Sequence, residues 1–135
     1  MNGTHDQVGR ASHLSELRAG VRRQLTEWGV DELADEAGLV LSELVANAYC
    51  HGRPPVRIAL TLQWTPGRAR SVRIEVSDSG TVIDVDAVRA RWRHPSFALS
   101  EGGRGLYVVD AVCRAWGDRP ASRGHTVWAE LPCPG

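Results

Sequence analysis

A chain of 135 residues with an apolar fraction of 42% is long enough for one compact domain built round a single core. Sixteen basic and sixteen acidic residues cancel, so no global field draws the chain to nucleic acid or to an anionic membrane, and neither is expected as a direct partner. Every basic residue is Arg, and without Lys the chain cannot carry the phosphate-binding lysine of a Walker-type ATPase.

Residues 1–12 are polar and unpatterned and are expected to form a flexible N-terminal segment, or at most a weak strand, ahead of a domain spanning 13–135. Leu14, Leu17, Val21, Leu25 and Trp28 follow helical spacing, with Ser12 available as a cap and Gly29 after the last periodic residue. Asp31 is expected to cap a second helix through Leu33, Ala37, Val40, Leu41, Leu44, Val45 and Ala48, which Gly52 and two prolines stop. From Val56 the period becomes two: Val56, Ile58, Leu60, Leu62 and Trp64 alternate with more polar residues. "TPGRAR" supplies a turn, and Val72, Ile74 and Val76 form the hairpin partner. Residues 79–103 are a long, weakly patterned connection with an Arg cluster at 89, 91 and 93 and a short helix from Asp86. "GGRGLYVVDAVCRAWG" opens on glycines and is expected to run helically through Leu106, Val109, Val112, Cys113 and Trp116. "HTVWAEL" closes the chain as a strand with Val127, Ala129 and Leu131 on one face and Thr126, Trp128 and Glu130 on the other. Trp28, Trp64 and Trp116 are expected at the core or at an interface. The predicted order gives a two-layer α/β sandwich, helices on one face of a mixed, mostly antiparallel sheet.

Cys50, Cys113 and Cys133 are odd in number and lack CxxC spacing, so they read as reduced thiols. The start has no signal-peptide pattern and no apolar run reaches membrane-spanning length, which places the expected chain in the cytoplasm.

Three stretches depart from plain core-and-surface patterning. In "LVLSELVANAYCHG", Glu43, Asn47 and then His51 fall at successive four-residue steps, so they make one polar stripe on an otherwise apolar helix. Such a stripe is usually solvated surface. In "IEVSDSG", Asp78 leaves an apolar strand where Gly80 permits close backbone approach. "EGGRGLYVV" is a glycine-rich loop entering a helix, where free N–H groups can hold phosphate. Each alone is ordinary; their order, each at a matching secondary-structure position, is not.

With these three motifs the sequence resembles the histidine-kinase-like ATPases of the Bergerat fold, and among them most nearly the bacterial anti-sigma-factor serine/threonine kinases. "LVLSELVANAYCHG" looks like the N box of that family, "IEVSDSG" its first glycine box, and "GGRGLYVVDAVCRAWG" with "GHTVWAEL" its second glycine box and closing strand. The resemblance covers about residues 13–132 and implies ATP and Mg²⁺ as cofactors. By position it implies Asn47 as the Mg²⁺ ligand and Glu43 as the general base acting on a serine or threonine hydroxyl. Asp78 would accept from the adenine amino group, Gly80 would admit the base, and Gly103, Arg104, Gly105 and Leu106 would wrap the phosphates. Thr126 matches a position that contacts adenine through water. The implied partners are an anti-anti-sigma antagonist of the STAS type and a sigma factor, exchanged by partner switching.

Two departures stand against the family pattern. Val82 occupies the second glycine position of the DxGxG box, where glycine would allow a positive φ. The N-terminal strand that supports homodimers in the family has no convincing copy in residues 1–12. These departures favour an alternative reading, a non-catalytic nucleotide-dependent interaction module; a detached sensor-kinase ATPase domain fits less well, since no phospho-acceptor helix precedes the motifs.

Overall fold

The computed structural model describes residues 3–8, 14–64, 66–67, 69–94 and 105–134. Its elements are β1 (Gly3–Val8), α1 (Leu14–Glu27), α2 (Ala34–His51), β2 (Arg57–Gln63), β3 (Ser71–Asp78), α3 (Val85–Trp92), α4 (Gly105–Val112), β4 (Ala115–Ala121) and β5 (Gly124–Pro132). The strands form one five-stranded sheet in the order β1-β2-β3-β5-β4, with all four ladders antiparallel. α2 packs against α1, α4, β3 and β5, so it runs through the middle of the helical layer. This is the expected α+β sandwich.

Alternation along the strands builds the core. Ile58 and Leu60 of β2, Val72, Ile74 and Val76 of β3, and Val127, Ala129 and Leu131 of β5 are all buried, and the registers stack them on one face. α1 sends Leu17, Val21 and Leu25 into the same core, and α2 sends Ala37, Val40, Leu41, Leu44, Val45 and Ala48. The opposite sheet face is polar: Arg73 bridges Glu75 and Glu130 and lies 4.3 Å from the Trp128 ring centre.

α1 ends in a Schellman motif. Gly29 has φ +75°, its N–H donates to the Thr26 carbonyl, and the Val30 N–H reaches back to Leu25. Val30, fully buried, then anchors the turn.

Three expectations are corrected. Residues 3–8, expected within a flexible segment or at most a weak strand, form edge strand β1 in antiparallel register with β2; a backbone ladder does not require the alternation whose lack hid it. Asp31 caps no helix, because Asp31–Leu33 form a 3₁₀ turn and α2 starts at Ala34 with no side-chain cap. The helix of the second glycine box stops at Val112, and Trp116 lies in β4 instead. There its indole donates to Asp110 at 2.8 Å, and it is buried while Trp64 is exposed. The short helix expected from Asp86 is α3, with Asp84 as its N-cap accepting from the Ala87 N–H. Ser12 lies outside the described residues.

Candidate functional site

Glu43 and Asn47 occupy the last turns of α2, the helix the core holds most firmly. Both are partly exposed. A Cβ placed on Gly105, the first residue of α4, would lie 2.8 Å from Glu43 Oε2. The carboxylate therefore rests against the head of the helix that the glycine-rich loop enters. Gly105 and Leu106 begin α4, with Leu106 buried behind them, while Gly103 and Arg104 lie outside the described residues.

The C-terminal end of α2 and the loop after β3 enclose a cleft of about 360 Å³ lined by His51, Gly52, Arg53, Ser79, Gly80 and Thr81. Its walls are pinned together. The Ser79 N–H donates to the Arg53 carbonyl at 2.8 Å, and the Ser79 hydroxyl to the Pro54 carbonyl at 2.6 Å. Behind Gly52 and Gly80 sits Asp78, its side chain only 2% exposed. A Cβ on Gly52 would overlap the Asp78 carboxylate, so the glycine there is a steric requirement.

Asp78 Oδ1 accepts from the Gly80 N–H at 2.6 Å and the Arg53 N–H at 3.2 Å. Its Oδ2 lies 2.9 Å from His125 Nε2, and His125 Nδ1 lies 2.7 Å from Asp118 Oδ2. The Ile83 N–H donates to that same Asp118 oxygen. His125 and Asp118 are absent from the predicted site. His125 was within reach of the sequence, because 125 continues the inward series 127, 129, 131 of β5 and the register pairs it with Asp78. Asp118 was not, since the sequence pattern predicts no strand between the helix expected to end at Trp116 and "HTVWAEL".

Thr126 requires a correction. It points to the opposite sheet face from Asp78 and pairs with Ser77 Oγ at 2.8 Å. Strand alternation makes His125, not Thr126, the neighbour of the predicted adenine acceptor. Val82 is exposed, and no described non-glycine residue has a positive φ, so its side chain causes no backbone conflict. Arg89 is engaged by Asp110 at 3.3 Å and by the Trp116 ring, whereas Arg91 and Arg93 are exposed.

The structure thus brings Glu43 to the start of α4 and sets Asp78 directly behind the two glycines that line the cleft. Residues 9–129 match the family profile of the histidine kinase-like ATPase domain, which is most of the chain. The chain belongs to this family. None of the curated proteins matches it. As a histidine kinase-like ATPase domain it is an ATP-binding module, and ATP binding in this family usually involves Mg²⁺. The residues present suit both groups. Asn47 offers a neutral amide oxygen of the kind Mg²⁺ accepts while retaining waters. Gly52 and Gly80 line the cleft with bare backbone, and a Cβ on either would crowd the Asp78 carboxylate behind them. Among the described residues, no helix is long and apolar enough to cross a membrane.

Proposed function

We propose that this domain is an anti-sigma-type regulator that transfers the ATP γ-phosphoryl group to a serine or threonine of an anti-anti-sigma antagonist of the STAS type, and so controls a sigma factor by partner switching. The observation that carries the reading is the contact of the Glu43 carboxylate with the head of α4, one helical turn before Asn47. Phosphoryl transfer asks the protein mainly for positioning and charge stabilisation. Glu43 takes the proton from the attacking hydroxyl, and Asn47 would hold Mg²⁺, which when bound would supply positive charge beside the phosphates. Asp78 accepts from the adenine amino group, with Gly80 backing the base. Gly103, Arg104, Gly105 and Leu106 serve the phosphates. Phosphorylation of the antagonist weakens its hold on the regulator, which is then released to bind its sigma factor.

The test is transfer of labelled γ-phosphate from ATP to a purified STAS-type antagonist. The Glu43→Ala variant is expected to lose transfer by about 10²-fold or more, as removal of a general base commonly does, while ATP affinity changes little. Transfer by that variant at the wild-type rate removes Glu43 from its role. ATP binding by the wild type with no transfer to any STAS-type antagonist favours the non-catalytic interaction module instead.

A further inference from the structure

The Asp78–His125–Asp118 chain runs from behind the glycines that line the cleft to a fully buried carboxylate on β4, and the roles implied by the family resemblance leave His125 and Asp118 without one. The three side chains are 2%, 3% and 0% exposed. Each ring nitrogen of His125 faces a carboxylate oxygen, so each contact needs a proton between its two atoms. A bare nitrogen against a bare carboxylate at such distances would set lone pair against lone pair. Two protons are therefore shared among the three groups.

Asp78 shows where one of them sits. Its Oδ1 already accepts two backbone N–H groups, from Gly80 and Arg53. With Asp78 as acceptor on both oxygens, Nε2 is the donor to Oδ2. A carboxylate offers about four lone-pair sites, and Gly80, Arg53 and His125 take three of them. One remains, on Oδ2. Across the ring, Asp118 fixes the orientation of the imidazole and is itself fixed by the Ile83 N–H, its Oδ1 having no partner among the described residues. A carboxylate aligning a histidine that in turn acts on another group is a familiar arrangement.

We propose that His125, aligned by Asp118, is a positioning residue that donates to Asp78 Oδ2 and orients Asp78 as a hydrogen-bond acceptor with one lone pair uncommitted, and that this sets the preference of the cleft for a 6-amino over a 6-oxo purine nucleotide. The proposal rests on reading the cleft as the ATP site with Asp78 as base acceptor. Guanine presents a carbonyl where adenine presents an amino group, and a carboxylate has nothing to donate to it. Replacing His125 by an apolar residue leaves the buried Asp78 Oδ2 without its donor, so the variant should lose ATP affinity and discriminate less against the carbonyl.

The test is titration of the full chain with ATP and GTP in the presence of Mg²⁺, for wild type, His125→Leu, His125→Gln and Asp118→Asn, alongside ¹⁵N NMR of the His125 ring. Wild type should prefer ATP. In His125→Leu the ATP-to-GTP affinity ratio should fall by roughly tenfold or more, the scale of a lost hydrogen bond to a charged group. His125→Gln, which keeps a donor, should recover most of the ratio, Asp118→Asn should fall between, and Nε2 should carry a proton without nucleotide. A purely structural role would weaken ATP and GTP alike and leave the ratio in place. An unchanged ratio in His125→Leu, or a folded His125→Gln that recovers none of it, overturns the proposal, as does a bare Nε2. Failure of wild type to bind either nucleotide overturns the ATP-site reading and the proposal with it, an outcome distinct from binding with the wrong ratio.

Discussion

Burial pushes the Cys113 thiol up from its ordinary 9.0 to about 12, with Glu36 and Asp110 adding to the shift because a thiolate beside carboxylates is repelled. Since the thiolate is the reactive form, Cys113 should resist alkylation at pH 8 to 9, while the exposed Cys50 is open to reagent. Mass spectrometry of the protein treated with iodoacetamide at several pH values checks this, and early modification of Cys113 would contradict it. The same shift fixes a sign for stability. Above about pH 9 the unfolded chain gives up this proton before the folded one does, so the contribution of Cys113 to stability is full below that pH and falls as pH rises towards 12. Other single residues show how far sequence reaches. Glu43, Asn47 and Asp78 could be singled out because each breaks an apolar pattern. Thr126 was assigned from its place in a motif, while the alternation of β5 put His125 beside Asp78. Asp118 gave no signal, because its meaning comes from a histidine seven residues away across a hairpin.

At the scale of elements, patterning served where one face is buried and failed where it is not. β2 and β3 pair over Arg57–Gln63 and Ser71–Asp78, as their alternation required. β1 lies at the sheet edge and β4 at the other, and edge strands need not alternate. β4 was further hidden because Val109, Val112, Cys113 and Trp116 keep helical spacing past the point where α4 stops. The Schellman turn after α1 was marked by Gly29, and it gives a clean test. Nothing lies within 4 Å of a Cβ built on Gly29, so the Gly29→Ala variant meets no clash and pays only for its φ of +75°. Left-handed backbone costs an L-residue about 1–2 kcal/mol, and urea unfolding should show a loss of that size. A variant as stable as wild type would mean that the turn had refolded into another cap.

Across the whole molecule, the site residues come from elements far apart in sequence but packed on one another: Glu43 and Asn47 from α2, Asp78 from the end of β3, Gly105 from α4 and His125 from β5. A ligand held by all of them bridges the helical layer and the sheet, and should stabilise the folded chain as a unit. For one site the gain is about 2.7 kcal/mol at a hundredfold excess of free ligand over Kd. Thermal unfolding followed by circular dichroism should therefore shift upwards by several degrees with saturating ATP and Mg²⁺. The roles proposed for Asn47 and Asp78 divide that shift. Asn47→Ala removes the only contribution α2 makes to the metal in this reading, so ATP should still raise the midpoint of the variant, but adding Mg²⁺ should add little. Asp78→Asn replaces one acceptor oxygen by a donor where the adenine amino group must bond, and should remove most of the shift with or without Mg²⁺. An Asn47→Ala variant that keeps the full Mg²⁺-dependent increment would take the metal away from α2 and assign the polar stripe of that helix to the acceptor hydroxyl alone.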